Sequence, residues 1–247
     1  IPAVKVADGV ISTSEIVAQT VATANVALGE DAFQRIIKEK HDANIMFLIQ
    51  QANVRSSELK TAKAFQEEVK AIGEAANKQI TNIEISAYAS PDGSLDLNQG
   101  LAEKRQDATA KVVNKNLKKD KMEANVDTKY TAEDWEGFQE LVSKSNIQDK
   151  ELILRVLSMY KEPEQREQEI KNISSVYSDL ADEILPQLRR SRLTLNYEII
   201  GKSDEEIANL ADTNAKELSL EELLYAATLA KDAAKKLNRK YSIDLEN

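Results

Sequence analysis

Between Asn82 and Leu117 the spacing of apolar residues changes once, and that change constrains the fold more than any other feature of the chain. Ile83, Ile85 and Ala87 alternate with Asn82, Glu84 and Ser86, the period-two pattern of a half-buried strand. Ser90-Pro-Asp-Gly-Ser ends the alternation with residues that favour a turn. Asp96 is then placed to cap a helix that runs to about Leu117. A strand, a tight turn and a long helix therefore follow one another without a linker.

Other elements can be read on either side of this unit. The first thirty residues, with Val4 to Val10 and an Ala-rich stretch, suggest a lead-in strand and a loop. Two strands are expected next, Ala32 to His41 and Asn44 to Gln51, separated by a turn at His41-Asp42-Ala43. Ser56 or Ser57 caps a helix whose Leu59, Ala62, Phe65, Val69 and Ile72 fall on one face. Ala124 to Tyr130 reads as a strand, and Thr131-Ala-Glu-Asp has the form of a capping box. Helices marked by Trp135 and Phe138, by Leu152 to Tyr160 and by Ile170 to Leu180 follow, before Leu193, Leu195, Tyr197 and Ile199 return the chain to a strand. Beyond Gly201 the pattern is helical, and Ser219 to Ala227 resembles the opening of a tetratricopeptide-type helix, the start of an array expected to continue past this chain.

Composition removes several classes of function. Net charge is −9, with acidic and basic residues interspersed and no basic block, so nucleic acid is not expected as a partner. The longest strongly apolar run, Ile45 to Ile49, falls far short of the roughly 20 residues a membrane-crossing helix needs. Without Cys there is no disulfide, thiolate zinc site or thiol catalysis. His41 is the only histidine, which leaves no cluster for a metal and only one residue on which a Ser-His-Asp triad could rest. No Gly-rich phosphate loop is present, and no cofactor, metal or catalytic set is expected. The chain begins at Ile1, which reads as a mature or truncated form whose targeting segment has been removed.

One helix carries the chemistry. Projected at 100° per residue, Leu97, Ala108, Leu101 and Val112 fall within about 60°, and Ala102, Val113 and Leu117 form a second apolar arc. Asn98, Arg105 and Thr109 lie between the two, away from the charged face of Glu103, Lys104, Asp107 and Lys111. A guanidinium in that position must find acceptors, and its fork suits a carboxylate. Either an internal acidic residue or sheet edge, or a ligand, could supply them.

Ala87-Tyr-Ala-Ser-Pro-Asp-Gly-Ser, followed by Asn98-Gln-Gly-Leu-Ala-Glu-Lys-Arg105, resembles the OmpA-like domain family, in which a strand-end run leads to Asn-x-x-Leu-Ser-x-Arg-Arg on a helix. Asn98 and Arg105 keep the seven-residue spacing, and Lys104 stands for the first Arg. The resemblance extends from about Asn44 to Ile200, including Arg189-Arg190-Ser-Arg192 before the last strand. The Ser-Pro-Asp-Gly turn and the helical stretch between Thr131 and Gln187 resemble the Bacteroidetes-type branch. It implies an α+β fold: a βαβαβ mixed sheet with helices packed against it, a helical insertion at about 131–187 and a C-terminal helical extension. The implied organisation is a lead-in over 1–43, the OmpA-like domain over 44–201 and the extension over 202–247.

The function the resemblance implies is non-catalytic. Such a domain tethers an outer-membrane-associated protein to peptidoglycan in the periplasm, with an Asp and the second Arg gripping the diaminopimelate of the stem peptide. Arg105 would take the carboxylate, Asn98 would support the loop, and Ser90 or Asp92 would face the amine. Ser90 stands where the family carries its Asp, fifteen residues before Arg105. That departure leaves open a second expectation, an envelope scaffold that has lost the ligand and docks a protein partner.

Overall fold

A computed structural model describes residues 31–230, at 174–176 the backbone alone, and divides the chain into two units, residues 36–200 and the flanking segments 1–35 and 201–247. The expected lead-in strand near Val4 and the end of the C-terminal extension lie outside the described residues.

The first unit has β1 (Ile36–Met46), α1 (Glu58–Glu74), β2 (Lys78–Tyr88), α2 (Leu95–Lys119) and β3 (Val126–Thr131). Helices α3 (Trp135–Lys144), α4 (Lys150–Met159), α5 (Pro163–Asn172) and α6 (Ser174–Asp179), a π-helical turn (Leu180–Ile184) and α7 (Leu185–Leu188) precede β4 (Arg190–Ile200). The sheet order is β1-β4-β2-β3, with β4 antiparallel to both neighbours and β2 parallel to β3. This is the expected α+β class: a βαβαβ mixed sheet that receives its fourth strand after a helical insertion.

Two strands were expected around His41, but the chain forms one. His41, Asp42 and Ala43 pair with Leu195, Thr194 and Leu193 in an unbroken ladder from Ile36↔Ile200 to Met46↔Arg190. The polar residues that suggest a turn sit on a strand that exposes most of its length, and only Ile45 is fully buried. Phe47 to Gln51, expected as the end of a strand, instead forms a loop in which Gln51 N–H donates to Leu48 O at 3.1 Å. Gln50 lies at φ 54°, a left-handed conformation more usual for Gly or Asn.

Helices α1 and α2 cover one face of the sheet. Phe65, Val69 and Ile72 of α1 and Val113 and Leu117 of α2 pack on Ile45, Ile83, Ile85, Leu193 and Leu195. The opposite face is polar and bonded within itself: Thr194 Oγ1 donates to Asp42 at 2.6 Å, Asn196 to Asn82 at 2.9 Å and Lys129 pairs with Glu84 at 2.6 Å. Hydrogen bonds from Lys129 and Ser86 hold the Glu84 carboxyl below its ordinary range. Polar alternates thus satisfy one another where no helix covers them.

One expected cap lacks its side-chain bond, and two others are replaced. Ser57 occupies the N-cap of α1 without a side-chain bond, and the entry is held by Glu58, which accepts from Met46 N at 3.0 Å and from Arg55 at 3.0 Å. Ser94, not Asp96, takes the N-cap position of α2, leaving Asp96 in the first turn, where its charge suits the helix dipole. Thr131 ends β3, and Asp134 itself caps α3 by accepting from Gly137 N at 2.9 Å.

The insertion builds a core of its own from Phe138, Val142, Ile153, Leu157, Leu180, Ile184 and Leu188. Arg166 closes α4 by donating to Tyr160 O at 2.6 Å and Leu157 O at 3.2 Å. Asp134 fastens this layer to the sheet: its Oδ2 pairs with Arg190 at 2.8 Å, and its backbone N–H donates to Ala89 O at 3.2 Å. A Cβ on Gly137 would overlap the Asp134 carboxylate, which the ion pair prevents from retreating. Gly137→Ala is therefore expected to cost about 1–3 kcal/mol, read as a lower urea midpoint with an unchanged slope.

In the second unit, α8 (Asp204–Thr213) and α9 (Leu220–Leu229) flank a short 3-10 turn, Ala215–Glu217. Each helix opens with a full capping box, Ser203 with Glu206 and Ser219 with Glu222. Ala32 to Arg35, expected as strand, instead joins this helix pair: Phe33 stacks on Tyr225 at 4.4 Å, and Arg35 pairs with Asp204.

Candidate binding site

Strands β1 and β2 run parallel to one another with β4 between them, so their carboxyl ends open on the same edge of the sheet. Loops leaving those ends, the first three turns of α2 and the residue ahead of β4 surround a recess of about 50 Å³. Its walls include Ile49, Ser90, Asp92, Asn98, Arg105 and Arg189. All four residues expected from the sequence meet there. Arg189 joins them.

Arg105 is 1% exposed, the largest fully buried side chain of the described residues. It contacts no carboxylate among them. Its Nε donates to Gln51 O at 2.9 Å, one terminal nitrogen to Tyr88 O at 2.9 Å and the other to Leu48 O at 3.3 Å. The guanidinium carbon lies 5.2 Å from the centroid of the Phe47 ring. One side chain thus ties the loop after β1 to the end of β2. Burial, with repulsion from Arg189, lowers its pKa to about 10, so it stays charged at neutral pH.

The buried stripe of α2 differs from the one expected. Asn98, Ala102, Arg105, Thr109, Val113 and Leu117 face inward, while Leu97, assigned to an apolar arc, is 45% exposed. The reason lies beneath the helix. Its second half meets apolar side chains of the sheet, and its first half meets strand-end carbonyls that only donors can satisfy.

Ser90 and Asp92 are brought together by their turn. Ser90 Oγ donates to Asp92 Oδ1 at 2.5 Å, and Asp92 Oδ2 pairs with Arg189 at 2.9 Å. Arg189 Nε also donates to Ser90 Oγ at 3.2 Å. Asn98 braces the same turn, donating to Gly93 O at 3.0 Å and reaching Glu133 at 3.3 Å. Glu133 in turn accepts from the Trp135 indole at 2.9 Å.

Arg189 and Glu133 were not singled out by sequence as site residues. For Arg189 a signal existed: in Arg189-Arg190-Ser-Arg192, Arg190 and Arg192 share one face of a strand, and both lie over the Tyr88 ring, at 5.0 and 6.0 Å. Alternation leaves Arg189 out of that set, free to belong to the loop end of the sheet. Glu133 gave no comparable signal.

No protein-family model matches the chain, and no curated protein matches it. Among solved structures, the OmpA-like domain of FopA1 from Francisella tularensis subsp. tularensis SCHU S4 is similar at 14% sequence identity and a TM-score of 0.35, over 68% of this chain and 79% of that one. A likeness of that size assigns neither a family nor a function. No helix of the described residues is long and apolar enough to cross a membrane, and no three of their His, Asp or Glu side chains are grouped to hold a metal ion.

Proposed function

We propose that residues 36–200 are a non-catalytic, OmpA-like recognition domain of the cell envelope that tethers an outer-membrane-associated protein to peptidoglycan in the periplasm. The observation that carries this reading is the presence of both signs of charge in one small recess. Asp92 and Arg189 pair directly on its wall, and Arg105 lines it as well. A stem-peptide centre bearing an ammonium and a carboxylate needs that combination. Asp92 supplies the negative charge that Ser90 lacks, and Ser90 supports it by a hydrogen bond. Volume agrees with this role, since about 50 Å³ admits a charged head group and not a whole peptide.

In this reading Asn98 sets the turn, Arg105 frames the recess and Asp92 faces the amine. The Bacteroidetes-type assignment rests on the Ser90-Pro91-Asp92-Gly93 turn and the insertion ending in α7. Sedimentation with purified peptidoglycan sacculi tests the proposal. The wild-type chain is expected in the pellet, and Asp92→Ala is expected to reduce the bound fraction by roughly tenfold or more. Wild-type protein left in the supernatant would overturn it.

A second reading, an envelope scaffold that docks a protein partner, is favoured by the internal neutralisation of Asp92 by Arg189 and by the doubly capped helix pair after Gly201. It expects no sedimentation with sacculi and recovery of a cross-linked envelope protein that deletion of residues 202–247 abolishes.

A further inference from the structure

We propose that the free edge of β1 pairs antiparallel with β1 of a second copy of this chain, about a dyad at His41. Among the described residues no strand lies beyond β1, which borders β4 alone. The ladder fixes which way its peptide groups point. Phe47 N–H donates to Arg189 O and Gly201 N–H to Arg35 O, both at 2.7 Å, so the odd-numbered residues bond β4. Ile36, Lys38, Lys40, Asp42, Asn44 and Met46 therefore turn their N–H and C=O groups outward. At Met46 the outward N–H donates to the Glu58 carboxylate at 3.0 Å, which closes that end. From Ile36 to Asn44 the edge stays open along a mostly exposed strand.

Charge selects both the occupant and the register. Lysines on an edge strand ordinarily turn other strands away, and Lys38 and Lys40 stand on this one. An antiparallel pairing that bonds the outward groups and keeps each face continuous sets even residues opposite even ones, so its dyad falls on a residue. A dyad at Lys40 sets that lysine against itself, one at Asp42 sets two carboxylates together, and one at Glu39 sets Lys38 against Lys40. His41 resolves the conflict. About it Lys40 faces Asp42 twice, and Lys38 faces Asn44. Lys40 has no ion pair among the described residues, and Asp42 accepts from Thr194 through Oδ1, so Oδ2 remains for the lysine.

The same register brings Ile36 and Ile37, 51% and 41% exposed, against Met46 and Ile45 across the seam. Main-chain bonds give such strand addition its affinity, and side chains give it its register. Two four-stranded sheets become one continuous sheet. The two recesses, at the carboxyl ends of oppositely directed strands, then face away from each other. The pairing does not depend on what the recess binds.

Sedimentation equilibrium of the full chain tests the proposal, and wild type is expected to pass from monomer to dimer as concentration rises. Lys40→Glu and Asp42→Lys each put like charges in both central pairs and are expected to weaken the dimer by roughly tenfold or more. The doubly substituted chain restores opposite charges and is expected to recover most of that loss. Because the chain has no Cys, an introduced thiol is unique. His41→Cys lies on the dyad, where non-hydrogen-bonded neighbours are close enough for a disulfide, and is expected to cross-link under mild oxidation. Lys38→Cys faces Asn44, which leaves its own counterpart about 20 Å away, and is expected to stay uncross-linked. Wild type that sediments as a monomer at submillimolar concentration would overturn the pairing and leave the edge to another occupant. Equal cross-linking of the two Cys variants would overturn it too, as would a double charge swap that associates no more tightly than either single one.

Discussion

Arg105→Met is expected to destabilise residues 36–200 by about 3–5 kcal/mol, because it removes a charged donor from three backbone carbonyls in a dry environment. Leu48 O would keep a partner in Gln51 N–H. Gln51 O and Tyr88 O would lose the guanidinium that they accept from. The loop after β1 would then have little to hold Gln50 in its left-handed conformation. Against a typical stability of about 5–15 kcal/mol, the loss should lower the melting temperature by on the order of 10 °C. Arg105→Lys should recover only part of it, since a compact ammonium cannot reproduce a planar fork reaching acceptors on two segments. Urea denaturation of the three proteins checks this. A stable Arg105→Met that has lost only sacculus binding would return Arg105 to a direct role on the ligand.

Asp134→Ala is expected to have a comparable effect, about 3–5 kcal/mol, from breaking a buried ion pair and leaving the Arg190 guanidinium uncompensated. Loss of the α3 cap adds roughly 0.5–2 kcal/mol. This carboxylate joins the insertion to the sheet, so the variant should also lose cooperativity between the two layers. Trp135, the only tryptophan, sits at the start of α3 and reports on the insertion by fluorescence, while circular dichroism follows the whole chain. The two probes should coincide in wild type and separate in Asp134→Ala. A double-mutant cycle with Arg190→Ala isolates the pair from the cap. Coincident transitions in every variant would show that the layers unfold together without this link.

Local periodicity made much of this architecture legible. The period-two run at Ile83 to Ala87 and the helical spacing of Ala62, Phe65, Val69 and Ile72 each identified the right element, because in those segments the buried face is largely the apolar one. Where the two diverge, periodicity misled. β1 is mostly exposed and polar, so a strand fixed by its ladder to β4 looked like two strands and a turn. Along α2 the buried stripe is part polar, and its composition reflects carbonyls contributed by loops some fifty residues earlier in sequence. The isolation of Arg105 among apolar arcs was visible on a helical wheel. Its acceptors were not, since backbone groups carry no residue-specific signal. The meeting of Ser90 and Asp92 with Arg189 depends on a separation of 97 to 99 residues that only the sheet closes.

The position of β4 has a consequence for how the domain comes into being. β1 and β2 are joined only through the strand that separates them, 165 residues of continuous chain being needed from Ile36 to Ile200. During synthesis from the N-terminus, α1, β2, α2 and β3 can gather locally, but β1 must wait with an unpaired edge while the insertion emerges. Arg189 emerges immediately ahead of β4, so the charge that completes the recess comes only with the strand that closes the sheet. A chain interrupted before that point carries Asp92 without its counter-charge, and recognition becomes a property of the finished domain.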